Sequence, residues 1–245
     1  MRTNYFVFGI VMPLLPIIPD SEPIMRKTSR RVGHVDNEMK KLVADMYETM
    51  VEHYGVGLAA VQVGVLKRFF IYEIPKRTMK GYEACYKSET QSEETGQNED
   101  LNEQAENIEP ESDDDGGYTG EYMVCINPRI IAREGEYIDD EGCLSRDGWI
   151  AKVKRAIKVT FQAYDINMKK FERTVEGLEA RCVQHEIDHL DGILFTDRAE
   201  PDTLREIKYE ELETEEDGES GVSSTDETEN SITERTAGIY TSENQ

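Results

Sequence analysis

His185 and His189 stand four residues apart with Glu186 beside the first, in the stretch Gln184-His185-Glu186-Ile187-Asp188-His189. At 3.6 residues per turn this spacing stacks the two imidazoles on one face of a helix. Imidazoles so placed can share one divalent metal, and the adjacent carboxylate can take a proton from water held there. Two histidines do not complete a site, however, and a pair that only packs or faces solvent has the same spacing. Cys143, in Glu141-Gly142-Cys143-Leu144-Ser145, is the candidate third ligand. As a thiolate it would leave the fourth tetrahedral position open for water, as catalytic sites do. Glu186 would then act as general base. Gln62 and a backbone N–H near Cys143 would hydrogen-bond the oxyanion formed when water attacks a carbonyl, so the reaction class is amide hydrolysis.

These residues must be positioned by ordered elements. The spacing predicts a helix over residues 178–190, with Leu178, Cys182, His185 and His189 near one face and Asp191-Gly192 at its C-terminal end. Ile157, Val159, Phe161 and Ala163 alternate as in a strand, Asp165-Ile166-Asn167 is a turn, and residues 171–175 are the hairpin partner. Upstream, Asp36 is placed to cap a helix whose apolar positions are Leu42, Val43, Met46 and Met50. The stretch Gly55-Val56-Gly57-Leu58-Ala59-Ala60-Val61-Gln62-Val63-Gly64 combines small residues with one amide, as a loop pressed against a substrate would, or equally a tight turn. An apolar strand follows over residues 68–74, and another runs through Tyr122-Met123-Val124-Cys125-Ile126, closed by Asn127-Pro128. Residues 5–18 read as a buried N-terminal strand rather than a signal peptide, because no small-residue cleavage site follows them. Residues 201–212 carry a weak helical stripe through Leu204, Ile207 and Tyr209. His34 and His53 have no partner ligand at a useful spacing and stay outside the site.

The net charge of −23 belongs to two appendages. Residues 88–121 hold thirteen Asp and Glu without a Lys or Arg, and residues 209–245 hold twelve against one Arg, which leaves the remainder close to neutral. Neither acidic segment suits nucleic-acid binding, and the remainder has no basic run. The organisation expected is one catalytic domain over residues 1–212, interrupted by a disordered acidic insertion at about 78–121, with a disordered tail over 213–245. Four cysteines without a CxxC pair fit reduced thiols in a cytoplasmic protein, and no apolar run is long enough to span a membrane.

The three stretches around Gly55–Gln62, Glu141–Ser145 and Gln184–His189, in this order, resemble the signature motifs of peptide deformylase, and the resemblance extends over residues 17–197 apart from the insertion. It implies an α+β fold in which mixed or antiparallel sheets wrap a central metal-site helix. The implied metal ligands are Cys143, His185 and His189, the catalytic group is Glu186, and the oxyanion donors are Gln62 and the Leu144 N–H. Val56, Gly57, Glu141, Leu178, Arg181 and Cys182 would lie near the methionine side chain and substrate backbone. The implied activity is removal of the formyl group from the N-terminal formylmethionine of nascent chains. The implied cofactor is one divalent metal, iron(II) in the cell, with zinc, nickel or cobalt able to replace it. Val61 and Arg146-Asp147 depart from the residues common in the family, so the groove is expected to differ in shape. The basic C-terminal helix linked to ribosome docking in some members is not evident, which puts ribosome contact in doubt. The competing enzyme reading, a zincin-type metalloprotease, needs a His or Glu ligand downstream of the helix, and no His follows His189. A metal-stabilised peptide-binding module would instead close the fourth metal position with another ligand.

Overall fold

A computed structural model describes residues 14–75 and 117–207. Helix α1 (Asn37–Glu52) begins where the sequence predicts, with the Asp36 carboxylate accepting from the Met39 N–H at 2.8 Å. A helix capped in this way gains about 1 kcal/mol over an uncapped one. Strands β1 (Gly57–Ala59), β2 (Phe69–Tyr72), β3 (Met123–Glu134), β6 (Lys158–Tyr164) and β7 (Lys170–Glu176) form one sheet in the order β1-β2-β3-β6-β7. Strands β4 (Tyr137–Gly142), β5 (Trp149–Arg155) and β8 (Arg205–Glu206) form a second, and every strand pair in both sheets is antiparallel.

Helix α2 (Gly177–Leu190) carries the two candidate histidines and is buried from Ala180 to its end. β2 explains how the sheet serves two helices. Phe70 and Tyr72 join the core that holds Val183, Ile187 and Leu190 of α2, whereas Phe69 and Ile71 join the core that holds Met39, Val43, Met46 and Met50 of α1. A strand covered on both faces is apolar at successive positions, as Phe69-Phe70-Ile71-Tyr72 is. Each buried phenylalanine contributes about 2–3 kcal/mol of transfer free energy. The C-terminal end of α2 is held where the Leu190 carbonyl accepts from the Ser29 N–H at 2.8 Å. The architecture is α+β, with antiparallel sheets around a buried helix.

Four local expectations change. β3 continues through Asn127-Pro128 instead of stopping, because a register shift there takes up the proline and Asn127 sits at φ 51°. The Asn127 side chain completes the break by accepting from the Val32 N–H at 2.9 Å and donating to the Val32 carbonyl at 2.8 Å. Residues 201–207 are not helical. Asp202 turns the chain at φ 61°, and Arg205 and Glu206 pair with Ile150 and Trp149 at the edge of β5; residues 208–212 lie outside the described residues. Residues 14–18 form no strand, since Pro16 can donate no ladder bond, and Leu15 N–H and Ile18 N–H bond instead to Thr49 Oγ1 and the Gln62 carbonyl; residues 5–13 of that expected strand lie outside the described residues. Finally, residues 117–121, which the sequence assigns to the insertion, belong to the fold, with Tyr118 buried in the α1 core. Residues 76–116, which hold most of the insertion, and the whole acidic tail lie outside the described residues.

Candidate active site

The β4–β5 hairpin carries Cys143, in extended backbone at the end of β4, to the face of α2 that presents His185 and His189. Cys143 Sγ lies 3.3 Å from His189 Nε2, and His189 Nε2 lies 3.0 Å from His185 Nε2. A tetrahedral ion bonded to nitrogen at about 2.0–2.1 Å and to sulfur at about 2.3 Å keeps such donors about 3.3–3.6 Å apart. The cluster is therefore slightly contracted but fits one metal. Among the described residues it is the one group of three His, Cys or acidic side chains with this geometry. Burial, and then the neighbouring His185, push the pKa of His189 well down, which keeps the imidazole neutral and its lone pair available. Burial also opposes charge on His185, yet the Cys143 sulfur and the Glu141 carboxylate together raise it.

Glu186 is 3% exposed, and its Oε2 has no hydrogen-bond partner among the described residues. Burial, opposed by the charge of His185, raises its pKa to about 7. A buried carboxylate oxygen without a partner beside this donor cluster is fitted to a water or substrate proton at the site. β1 crosses α2 here, and it can do so only because residue 57 has no side chain. A Cβ on Gly57 would stand 2.6 Å from Glu186 Oε1 and 2.8 Å from Cys182 Sγ. Gln62 follows in the short 3-10 turn Ala60–Val63, buried, with its amide oxygen accepting from the Ala59 N–H at 2.7 Å. That bond fixes which way the amide points. Its Nε2 is directed at Cys143 Sγ, 3.5 Å away, and at Ser145 Oγ, 3.3 Å away.

Of the residues expected near substrate, Val56 lies just before β1, its carbonyl accepting from the Glu73 N–H at 3.1 Å. Cys182 Sγ also approaches that carbonyl, at 3.6 Å, and its thiol stays protonated because burial and then the Glu186 charge raise its pKa well above the usual range. Leu178 is half-buried in the first turn of α2. Glu141 and Arg181 stand in a buried charge network. Glu141 is behind His185, with Oε1 2.6 Å from His185 Nδ1, and both its oxygens receive bonds from Arg155 at 2.6 and 3.0 Å. Burial works to raise its pKa, but the bonds and charges of His185 and Arg155 outweigh that and hold it far below the usual range. Arg181 is buried too, donating to Glu141 at 3.0 Å and to the Val153 carbonyl at 3.1 Å. Their charges face each other inside the protein.

Arg155 and Asp188 complete this buried network, with Arg155 between the carboxylates of Glu141 and Asp188. Neither was singled out from the sequence. A signal existed for Arg155: in Trp149–Arg155 the lysines at 152 and 154 face outward, so period-two alternation turns residue 155 inward. A cavity of about 670 Å³, with Arg155, Gln184 and Asp188 in its wall, lies beside α2 and is not lined by Cys143, His185 or His189. His34 lies near Asp36, and His53 bonds the Thr49 carbonyl, both outside the site.

Comparison with known proteins gives a consistent result. A family model described as polypeptide deformylase matches residues 14–205. The peptide deformylase of Thermomicrobium roseum is 35% identical over 204 residues, covering 83% of this chain and 96% of its own length. That of Acetivibrio thermocellus is 38% identical over 196 residues, covering 79% and 86%. Among solved structures, the Legionella pneumophila peptide deformylase matches with a TM-score of 0.59 at 33% identity, covering 77% of this chain and 88% of that one. The Acinetobacter baumannii peptide deformylase solved with Met-Ala-Ser bound has a TM-score of 0.57 at 27% identity, covering 76% and 99%. The family match over most of the chain, the shared fold and a metal-competent Cys-His-His cluster converge on one assignment: the chain belongs to the peptide deformylase family, hydrolases that remove the N-formyl group from new peptides.

Proposed function

We propose that this chain hydrolyses the formamide of N-terminal formylmethionine, with Cys143, His185 and His189 holding one divalent metal. The observation that carries the assignment of roles is the unpartnered, buried Glu186 oxygen beside that donor cluster. When bound, the metal supplies Lewis acidity that makes water nucleophilic near neutral pH. Glu186 accepts a proton from the attacking water as the C–O bond forms, and its raised pKa suits it to pass that proton to the methionine nitrogen as the C–N bond breaks. The Gln62 amide, locked by Ala59, and the Leu144 N–H donate to the oxyanion during the attack. The products are formate and a free methionine amine.

Val56, Gly57, Leu178 and Cys182 border the substrate, and Glu141 and Arg181 support the histidine side of the site from behind. The Met-Ala-Ser bound by the Acinetobacter baumannii relative, a peptide beginning with methionine, supports a groove for the start of a polypeptide. Iron(II) is the metal we assign in the cell, on the family resemblance and the thiolate–imidazole donor set; zinc, nickel and cobalt suit the same donors. Cys125, Cys143 and Cys182 are free thiols, which suits a cytoplasmic, reducing compartment. Among the described residues no helix is long and apolar enough to cross a membrane. Formate release from formyl-Met-Ala-Ser by protein loaded anaerobically with iron(II) tests the reading. Turnover that disappears in Glu186→Gln is the expected result, and formate release without Glu186, or cleavage of the Met-Ala bond instead, would overturn it.

A further inference from the structure

The acidic insertion rejoins the fold through two residues that bear on the substrate loop. Tyr118 is 7% exposed, its ring is part of the α1 core, and its hydroxyl donates to the Gly55 carbonyl at 2.8 Å. The next residue, Thr119, donates its N–H and its hydroxyl to Glu73 Oε1, the hydroxyl at 2.7 Å. Glu73 is itself buried and accepts from Tyr47 of α1 at 2.8 Å through its other oxygen. Tyr47 in turn stacks on Tyr122, with ring centroids 4.2 Å apart. This clamp ties the C-terminal half of α1 and the start of β3 to the Glu73 carboxylate, just past the end of β2.

The Glu73 N–H bonds the Val56 carbonyl at 3.1 Å, which joins the clamp to the segment leading into β1. The Gly55 N–H bonds the Met50 carbonyl at 2.9 Å, so Gly55 is held from both sides, by α1 and by Tyr118. Leu144 presses on it. A Cβ on Gly55 would stand 2.7 Å from Leu144 Cδ1, so the leucine that follows Cys143 packs directly against this glycine. The position of residues 55–57 and the seating of Leu144 are therefore linked through one contact, and Tyr118 sets one side of it.

We propose that Tyr118 is a positioning residue for deformylation: its hydroxyl, bonded to the Gly55 carbonyl, holds residues 55–57 against Leu144 and thereby sets the strand along which the peptide substrate lies. The proposal rests on the reading of Val56 and Gly57 as contacts to the substrate backbone. It gives the insertion's C-terminal flank a part in the reaction.

The test compares metal-loaded wild type with Tyr118→Phe, which keeps the ring and removes only the hydroxyl, on formyl-Met-Ala-Ser and on formyl-Met. A displaced substrate strand penalises the substrate that has a backbone to lay along it. Loss of one positioning hydrogen bond should lower kcat/KM on formyl-Met-Ala-Ser roughly five- to tenfold, mainly through KM, and change formyl-Met less than twofold. Thr119→Ala, which removes one of the bonds to Glu73, should show a smaller loss of the same pattern. Equal losses on the two substrates, or unchanged kinetics with a lowered Tm in both variants, would make the clamp structural only and overturn the proposal. If wild type itself does not favour the longer peptide, the reading of Val56 and Gly57 fails first and the proposal falls with it. If wild type favours it and both variants match wild type, the proposal alone is wrong.

Discussion

Glu141 Oε1 lies 2.6 Å from Nδ1 of His185, the ring nitrogen turned away from Cys143 and His189. The bond fixes the ring so that Nε2 faces His189 Nε2, and the carboxylate is itself held by Arg155 and Arg181. A carboxylate behind a metal-binding imidazole sets its tautomer and strengthens its donation. The glutamate that opens the cysteine motif thus belongs mechanically to the histidine motif.

Glu141→Gln should weaken metal binding about 10- to 100-fold while leaving the three donors in place. Competition with a chromophoric chelator measures it. An unchanged dissociation constant in a cooperatively folded variant would show that Arg155 alone suffices to hold the network.

Cys143→Ser, His185→Ala and His189→Ala should each lose most of the bound metal after gel filtration, because three donors leave no redundancy. Glu186→Gln should retain a full equivalent of metal and lose about 100- to 10,000-fold in kcat. Full metal content in Cys143→Ser, with activity gone, would reassign the thiolate from ligand to nucleophile.

Metal-free Glu186→Gln should melt above metal-free wild type at pH 8. Burial raises the folded-state pKa of Glu186 from 4.5 to about 7. Below the lower value the group is neutral in folded and unfolded chains and costs nothing. Above the higher value its ionisation in the fold costs up to ~3 kcal/mol. The stabilising effect of the substitution should therefore shrink as pH falls from 8 to 4.5. A difference in Tm that does not vary over that range would mean that this carboxylate ionises freely in the fold.

Gly57→Ala should cost both stability and activity, since its methyl would stand 2.6 Å from Glu186 Oε1 and 2.8 Å from Cys182 Sγ. Overpacking of this kind costs about 1–3 kcal/mol, and the displaced carboxylate should take kcat down with it. Thermal melts and formate release on the same preparation check the pair; full activity would show that β1 can move away from α2 without consequence.

Iron(II)-loaded protein should lose activity in air much faster than nickel-loaded protein, with the first added oxygen on Cys143. A thiolate beside a redox-active ion is oxidised before the buried thiols of Cys125 and Cys182, both of whose pKa values burial raises. Peptide mass spectrometry locates the modification, and oxidation of Cys182 ahead of Cys143 would count against this ligand set.

The sequence by itself determined what depends on local spacing. His185 and His189 share a face because any helix puts i and i+4 together, and Asp36 caps α1 because its side chain reaches the Met39 N–H three residues on. The three motifs also sufficed to name the family, since their residue types and order are properties of the chain. Tertiary structure alone decided what depends on long-range pairing. Glu141 lies behind a histidine 44 residues later, and nothing local separates that role from one in the substrate groove. Arg155 is buried only because two carboxylates from β4 and α2 meet it there; without them its charge could not be desolvated. Strand β8 exists because the edge of β5 had open backbone groups to fill, against the weak helical stripe of its own residues. Tyr118 looks from sequence like the end of an acidic insertion, and it becomes part of the α1 core, with its hydroxyl bonded to the Gly55 carbonyl 63 positions away in the chain.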